Sequence, residues 1–131
     1  MVKNLLQIEF EGTMGDRYET AKRSLEIKQL DDGNIYCVYS HLNYEMNIIH
    51  KKKYLDKNII NAFIKTLSTI TLPAFPEHDM GCDGGFTEIK MGGYDGHAHY
   101  CWWSCPPKGW KTLDDITKEI MAYCLDEFHV D

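Results

Sequence analysis

Hydrophobic and polar positions alternate along the N-terminal part of the chain in a way that predicts strands. In "LLQIEFE" (5–11), Leu6, Ile8 and Phe10 alternate with polar side chains, the period of a strand that buries one face. Similar β-forming patterns occur in "SLEIKQL" (24–30), "IYCVYSHL" (35–42) and "YEMNIIHKK" (44–52). The turn-forming "DDGN" (31–34) predicts a hairpin between the second and third of these strands.

The hydrophobic period changes to that of a helix after the fourth strand. Apolar residues recur on one helical face at Leu55, Ile59, Ile60, Phe63, Ile64, Leu67 and Ile70. We expect Asp56 to cap this helix, because its carboxylate can accept from the first free amides, and Pro73 to prevent its continuation. The Pro-, Gly- and Asp-rich segment 72–85 then predicts a long loop.

The C-terminal part predicts a second hairpin followed by a second helix. "FTEIKM" (86–91) and "HAHYCWW" (97–103) flank the turn "GGYDG" (92–96). Thr112 and Asp115 have the spacing of a capping box, with Asp in place of the usual Glu. The apolar stripe of this helix comprises Leu113, Ile116, Ile120, Cys124 and Phe128.

Together these elements predict a single α+β domain over residues 1–131. We expect an antiparallel sheet of about six strands with two helices packed on one face, in the order ββββ-α-ββ-α. A chain of 131 residues is long enough to bury a substantial core in one domain.

Cysteine usage and hydropathy point to the cytoplasm. The 5 cysteines are an odd number at irregular spacings, which favours free thiols, and Cys37 and Cys124 fall within apolar patterns of a strand and a helix. The first glutamate comes too early for a signal peptide, and we find no apolar run long enough to predict a membrane span.

The formal net charge of −6 bears on the class of partner. It argues against nucleic acid, because such binding depends on Lys and Arg neutralising phosphates. An acidic surface would instead attract a basic protein partner and accelerate their encounter.

The stretch "HAHYCWWSC" (97–105) offers two open interpretations. On a strand, His97, His99 and Cys101 share one face, and imidazole and thiolate are ligands that zinc prefers. A fourth ligand would come from Cys105, or from His78 or Cys82 in the long loop. Alternatively, these side chains face solvent, since the paired short Cys spacings of zinc sites are absent from the sequence. We favour the second interpretation and predict neither metal nor cofactor.

The sequence offers little support for catalysis. Cys82 lies in a glycine-rich loop with histidines as candidate bases, yet no established nucleophile motif surrounds it. The pairs Asp31/Asp32 and Asp114/Asp115 are explained by a turn and by the N-terminus of a helix. The sequence contains neither a phosphate-binding loop motif nor a Gly-x-Ser-x-Gly motif. We therefore predict a protein that is not an enzyme.

Aromatic and acidic side chains near the second hairpin predict a surface that binds a protein partner. Trp102 and Trp103 are adjacent on a strand and point to opposite faces, so one is expected to anchor the second helix and the other to be partly exposed. Burial of both tryptophans under loops is the structural alternative. The predicted partner-binding residues are Asp79, Asp83, Tyr94, Asp95 and Trp103.

The layout "FTEIKMGGYDGHAHYCWWSCPPKGWKTLDDITKEI", within residues 84–121, resembles small bacterial proteins of unassigned function and some polymorphic-toxin immunity proteins. The shared features are a hairpin with an Asp-Gly turn, an aromatic strand ending in Trp, a Pro–Trp connector and a helix opening on Leu. The resemblance implies a non-enzymatic inhibitor that binds one protein partner, a basic toxin domain, and blocks its active site. The alternative function is a metal- or thiol-dependent protein that uses His97, His99 and Cys101.

Overall fold

The computed structural model describes residues 2–10, 23–42, 48–73, 86–93, 96–103 and 106–125, except the side chains of Leu42, Ile48, Ile49 and Trp103. Its elements follow the predicted order and confirm an α+β fold. The strands are β1 (Lys3–Phe10), β2 (Arg23–Gln29), β3 (Ile35–Leu42), β4 (Ile48–Leu55), β5 (Phe86–Gly93) and β6 (Gly96–Trp103), and the helices are α1 (Lys57–Thr69) and α2 (Lys111–Leu125).

All six strands form one antiparallel sheet in the order β4-β3-β2-β1-β5-β6. The N-terminal meander β1–β4 and the C-terminal hairpin β5–β6 therefore join where β1 pairs with β5. This arrangement leaves β4 at one edge of the sheet and β6 at the other.

The core lies between one face of the sheet and the two helices. Its centre is the cross-strand row of Leu25, Ile8 and Ile89, which are paired in register and have no exposed surface. Ile60 of α1 and Ile120 of α2 belong to the same buried cluster. We name this helix-covered side the inner face and the opposite side the outer face.

The β2–β3 turn has the geometry that its sequence predicts. Gly33 adopts a positive φ of 91°, which favours glycine, and the backbone N–H of Asn34 donates to the Asp32 carboxylate at 2.9 Å. The predicted cap of α1 is also confirmed, since Asp56 accepts from the backbone N–H of Asn58 at 2.8 Å.

The fourth strand differs from its prediction because it runs further, to Leu55. Its inward positions include Lys51 and Lys53, which are half-buried, and Leu55, which is buried. The Lys53 ammonium lies 5.5 Å from the centre of the Tyr123 ring. Lysines can occupy inward positions near a sheet edge because their aliphatic stems cover apolar surface while the ammonium reaches a polar group or solvent.

The predicted capping box of the second helix is wrong. The helix begins at Lys111, so Thr112 lies inside its first turn, and the backbone N–H of Asp114 donates to the carbonyl of Trp110 at 3.0 Å. Trp110 is buried, and its packing fixes where the helix starts. Gly109, just before it, has a φ of 89°, and a Cβ at this position would lie 2.8 Å from Cγ of Pro73. Both features favour glycine over any residue with a side chain.

Candidate protein-binding surface

The two faces of β6 separate as the alternation of its side chains predicts. His97, His99 and Cys101 are exposed on the outer face. On the inner face, Ala98 and Tyr100 are half-buried, and Trp102 is buried with only 3 % of its surface exposed. The inner residues therefore form part of the core, and the outer residues contact solvent.

The inner face of β6 is fixed to α2 by a buried polar contact. The indole Nε1–H of Trp102 donates to Oδ1 of Asp114 at 2.7 Å, and Nζ of Lys118 lies 2.8 Å from Oδ2 of the same carboxylate. The Asp114 side chain is only 7 % exposed, so its charge depends on these two partners. This contact confirms the prediction that one tryptophan anchors the second helix.

Aromatic packing adds to this anchoring. The Trp110 ring meets Tyr100 edge-on at 5.6 Å between centroids and Trp102 at 6.3 Å. Edge-to-face aromatic pairs stabilise beyond the area that they bury. As a result, β6 is held along its inner face and presents a pre-ordered outer face and edge.

A carboxylate organises the polar side chains on the outer face. Oε1 of Glu88, on β5, lies 3.0 Å from Nε2 of His99 and 3.3 Å from Nζ of Lys90. The side chains of His99 and Lys90 are 47 % and 46 % exposed, so solvent weakens the polar contact of His99 and the ion pair of Lys90. These contacts orient the outer face, and they contribute little to stability.

Cys101 is an exposed residue with a free thiol and lies opposite this carboxylate in the strand register. Partial burial raises the pKa of the thiol, and the negative charge of Glu88 raises it further. A raised pKa means less thiolate at neutral pH, which is the opposite of what an activated nucleophile requires.

We expect Cys101 to alkylate slowly at neutral pH and faster as the pH rises, with a midpoint above its ordinary pKa of 9.0. The Glu88→Gln substitution removes the neighbouring negative charge and should lower that midpoint. Peptide mass spectrometry after timed treatment with iodoacetamide measures the rate at this cysteine. A midpoint below the ordinary value would contradict this description of its surroundings.

The buried cysteines differ from Cys101. Cys37 and Cys124 have no exposed surface and form part of the core, as predicted for small apolar side chains. The hydrogen bond with Cys37 raises the pKa of Cys124, and burial raises it further. Both are free thiols.

The alternative metal site is not assembled within the described ranges. No group of three or more His, Cys, Asp and Glu residues among them could hold a metal ion. The candidate additional ligands His78, Cys82 and Cys105 lie outside the described residues. A metal site at His97, His99 and Cys101 stays the alternative interpretation, and it depends on those ligands.

The predicted partner-binding residues fall around the ends of β6 or outside the described ranges. Tyr94 and Asp95 lie outside the described residues, between β5 and β6, and Trp103 is the last residue of β6, with a side chain that is not described. Asp79 and Asp83, with the candidate nucleophile Cys82, lie in the undescribed segment 74–85. Of the predicted surface, the structure therefore describes the strand β6 and none of these five side chains.

The two edges of the sheet differ in chemistry. β4 carries consecutive lysines, Lys51–Lys53, and Nζ of Lys52 lies 4.3 Å from the centre of the Tyr36 ring. Charged side chains, above all lysine, are a common protection against unwanted strand pairing at an edge. β6, with the sequence "GHAHYCWW", has no Lys, Arg, Asp, Glu or Pro and pairs with β5 without a bulge.

The sequence interpretation missed two residues that shape this surface, Asp114 and Glu88. In the sequence, Asp114 has no feature that distinguishes it from other acidic residues in the first turn of a helix. Glu88 likewise has no feature that distinguishes it from other polar residues of an alternating strand. The alternation did place Glu88 on the outer face. Its position opposite Cys101 follows from the strand register, which also sets His99 opposite Lys90.

The comparisons with protein families and with curated proteins assign no function to this chain. No protein-family model matches the sequence, and no curated protein matches it. Within the described ranges, neither α1 nor α2 is long and apolar enough to cross a membrane.

Proposed function

We propose that this chain is a non-enzymatic, cytoplasmic protein-binding module, and specifically an immunity protein that inhibits a basic toxin domain by direct binding. The observation that carries the proposal is the contrast between the two sheet edges, of which β4 is lysine-rich and β6 has no Lys, Arg, Asp or Glu. An edge strand without such protection can accept an extended segment of a partner as an additional strand.

The backbone of β6 has alternate groups available for such pairing. Gly93 and Gly96 form the last pair of the hairpin, which corresponds to a two-residue loop. Since an antiparallel ladder alternates between hydrogen-bonded and non-bonded pairs, we expect His97, His99 and Cys101 to direct their N–H and C=O groups away from β5. A partner strand would pair with these groups.

The side chains near this edge would add specificity. The predicted contacts Tyr94 and Asp95 adjoin one end of β6, Trp103 ends the other, and Asp79 and Asp83 precede β5 in the chain. Aromatic anchors contribute much of the affinity of many interfaces, whereas acidic residues mainly steer a basic partner. The net charge of −6 supports a basic partner.

The anchoring of β6 favours tight binding. Trp102 is fixed by its hydrogen bond to Asp114, so the strand does not have to become ordered when a partner binds. Pre-organisation of this kind lowers the entropic cost of association.

A pair of substitutions at Cys101 tests the proposed binding mode. Proline at this position removes an outward N–H without removing a donor to β5, whereas Cys101→Ser keeps the N–H and the approximate size of the side chain. We expect quantitative affinity capture from the native cell to enrich one protein on the wild-type and Cys101→Ser baits and to lose it on Cys101→Pro. Equal recovery on all three baits would contradict binding at this edge.

A further inference from the structure

An apolar groove lies between the C-terminal half of α1 and the paired ends of β1 and β5. Its volume is about 290 Å³. The apolar part of its lining consists of Leu5, Leu6, Ile64, Leu67 and Met91. The remaining lining residues are Lys3, Ser68 and Gly92.

A β-bulge accounts for the sheet side of this groove. The pairing of β1 with β2 shifts between Asn4 and Leu6, so Leu5 is an extra residue in β1. Strict alternation would direct Leu5 to the outer face, but the bulge allows Leu5 and Leu6 to line the same groove. Gly92 opposite them has a φ of 125° and no side chain to fill the space.

The helix side of the groove is an incompletely covered apolar stripe. Ile60 is the buried residue of α1, whereas Phe63, Ile64 and Leu67 are only half-buried. The N-terminal half of the helix therefore packs into the core, and its C-terminal half leaves apolar surface facing the groove. An apolar chain bound there would cover that surface and be stabilised by its removal from water.

The polar groups of the groove favour a ligand with a negative charge. Lys3 is exposed and is the charged residue of the lining, which contains no carboxylate among the described residues. The Ser68 hydroxyl already donates to the carbonyl of Ile64 at 2.8 Å. On a chain with a net charge of −6, this groove is thus an apolar site next to a cation.

We propose that the groove binds the hydrocarbon chain of a single-chain amphiphile whose anionic headgroup pairs with Lys3. The volume is at the small end of ligand pockets, which run from about 300 to 1,000 Å³, and it therefore suits one chain rather than a ring-containing cofactor. The lining favours an apolar tail, and the charge of Lys3 favours a carboxylate over a cationic head. This binding site is independent of the proposed function.

Calorimetric titration with decanoate, below the concentration at which it forms micelles, tests the proposal. We expect saturable binding of one equivalent, with amide chemical-shift changes in the NMR spectrum centred on Leu5, Ile64 and Met91. The Lys3→Gln substitution should weaken decanoate binding about fivefold, the upper range for an exposed ion pair, and leave decan-1-ol binding unchanged. Lys65→Gln, on the exposed side of α1, is the matched control and should change neither.

Four results would decide against the proposal. If decyltrimethylammonium bound as tightly as decanoate, or if Lys3→Gln had no effect, Lys3 would not recognise the headgroup. If decanoate instead dissociated a dimer, the groove would be an interface with a second copy of the chain. Absence of saturable decanoate binding to the folded wild-type protein would also overturn the assignment.

Discussion

Replacing Asp114 with alanine is expected to lower the free energy of unfolding by about 3 kcal/mol, because a buried donor loses its acceptor. The Trp102 indole N–H, which donates to Asp114 at 2.7 Å, would stay buried without a partner. The loss includes a charge-assisted hydrogen bond, which is stronger than a neutral one. Urea-induced unfolding followed by tryptophan fluorescence measures the change.

The neighbouring carboxylate supplies the matched control. Asp115 forms an i,i+4 pair with Lys111 at 2.9 Å, but both side chains are largely exposed, so Asp115→Ala should leave the unfolding midpoint nearly unchanged. In a double-mutant cycle, Trp102→Phe combined with Asp114→Ala should cost less than the sum of the single substitutions. Additive costs, or equal effects of the two alanine substitutions, would contradict the role given to Asp114.

The Ile8→Ala substitution is expected to cost about 3 to 4 kcal/mol, because it leaves a cavity at the centre of the sheet. Ile8 has no exposed surface and is paired with Leu25 on one side and Ile89 on the other, both of which are also fully buried. These neighbours belong to paired strands and have little freedom to close the space. The same urea titration measures the loss.

Ile59→Ala makes the same chemical change on the surface. Ile59 lies on α1 with 38 % of its surface exposed, and alanine has the higher helix propensity, so the cost should be under about 0.5 kcal/mol. If Ile8→Ala cost no more than Ile59→Ala, the described packing of the sheet would be wrong.

The order of the elements could be predicted because the signals for it are local. The turn "DDGN", the cap Asp56 and the two hydrophobic periods each act over a few residues, and the structure confirms them. The division of β6 into a core face and a solvent face was predictable for the same reason, since alternation needs no knowledge of neighbouring strands.

Features that depend on tertiary contacts were not predictable in this way. The extension of β4 depends on Lys53, which reaches the Tyr123 ring on α2, and the start of α2 depends on the burial of Trp110. Asp114 could be placed in the first turn of a helix from the sequence, but its burial against Trp102 joins residues 12 positions apart.

The candidate surface and the groove likewise combine features that were predictable from the sequence with features that depend on strand pairing. The residue types of β6 were evident from the sequence, but its position at a sheet edge follows from the pairing of β1 with β5, which no local signal specifies. The groove depends on the bulge at Leu5. This bulge could not be predicted, because the hydrophobic pattern of β1 alternates as it does in a regular strand.

The most direct test of the proposed function is the affinity for the protein encoded by the gene immediately upstream, since immunity genes adjoin the genes of their toxins. Isothermal titration should show saturable one-to-one binding to the wild-type chain and to Cys101→Ser, with affinity reduced at least about tenfold for folded Cys101→Pro, a loss of about 1.4 kcal/mol. The bound toxin domain should lose its activity. No binding of that protein to the wild-type chain, or equal affinity of the two variants, would contradict the account.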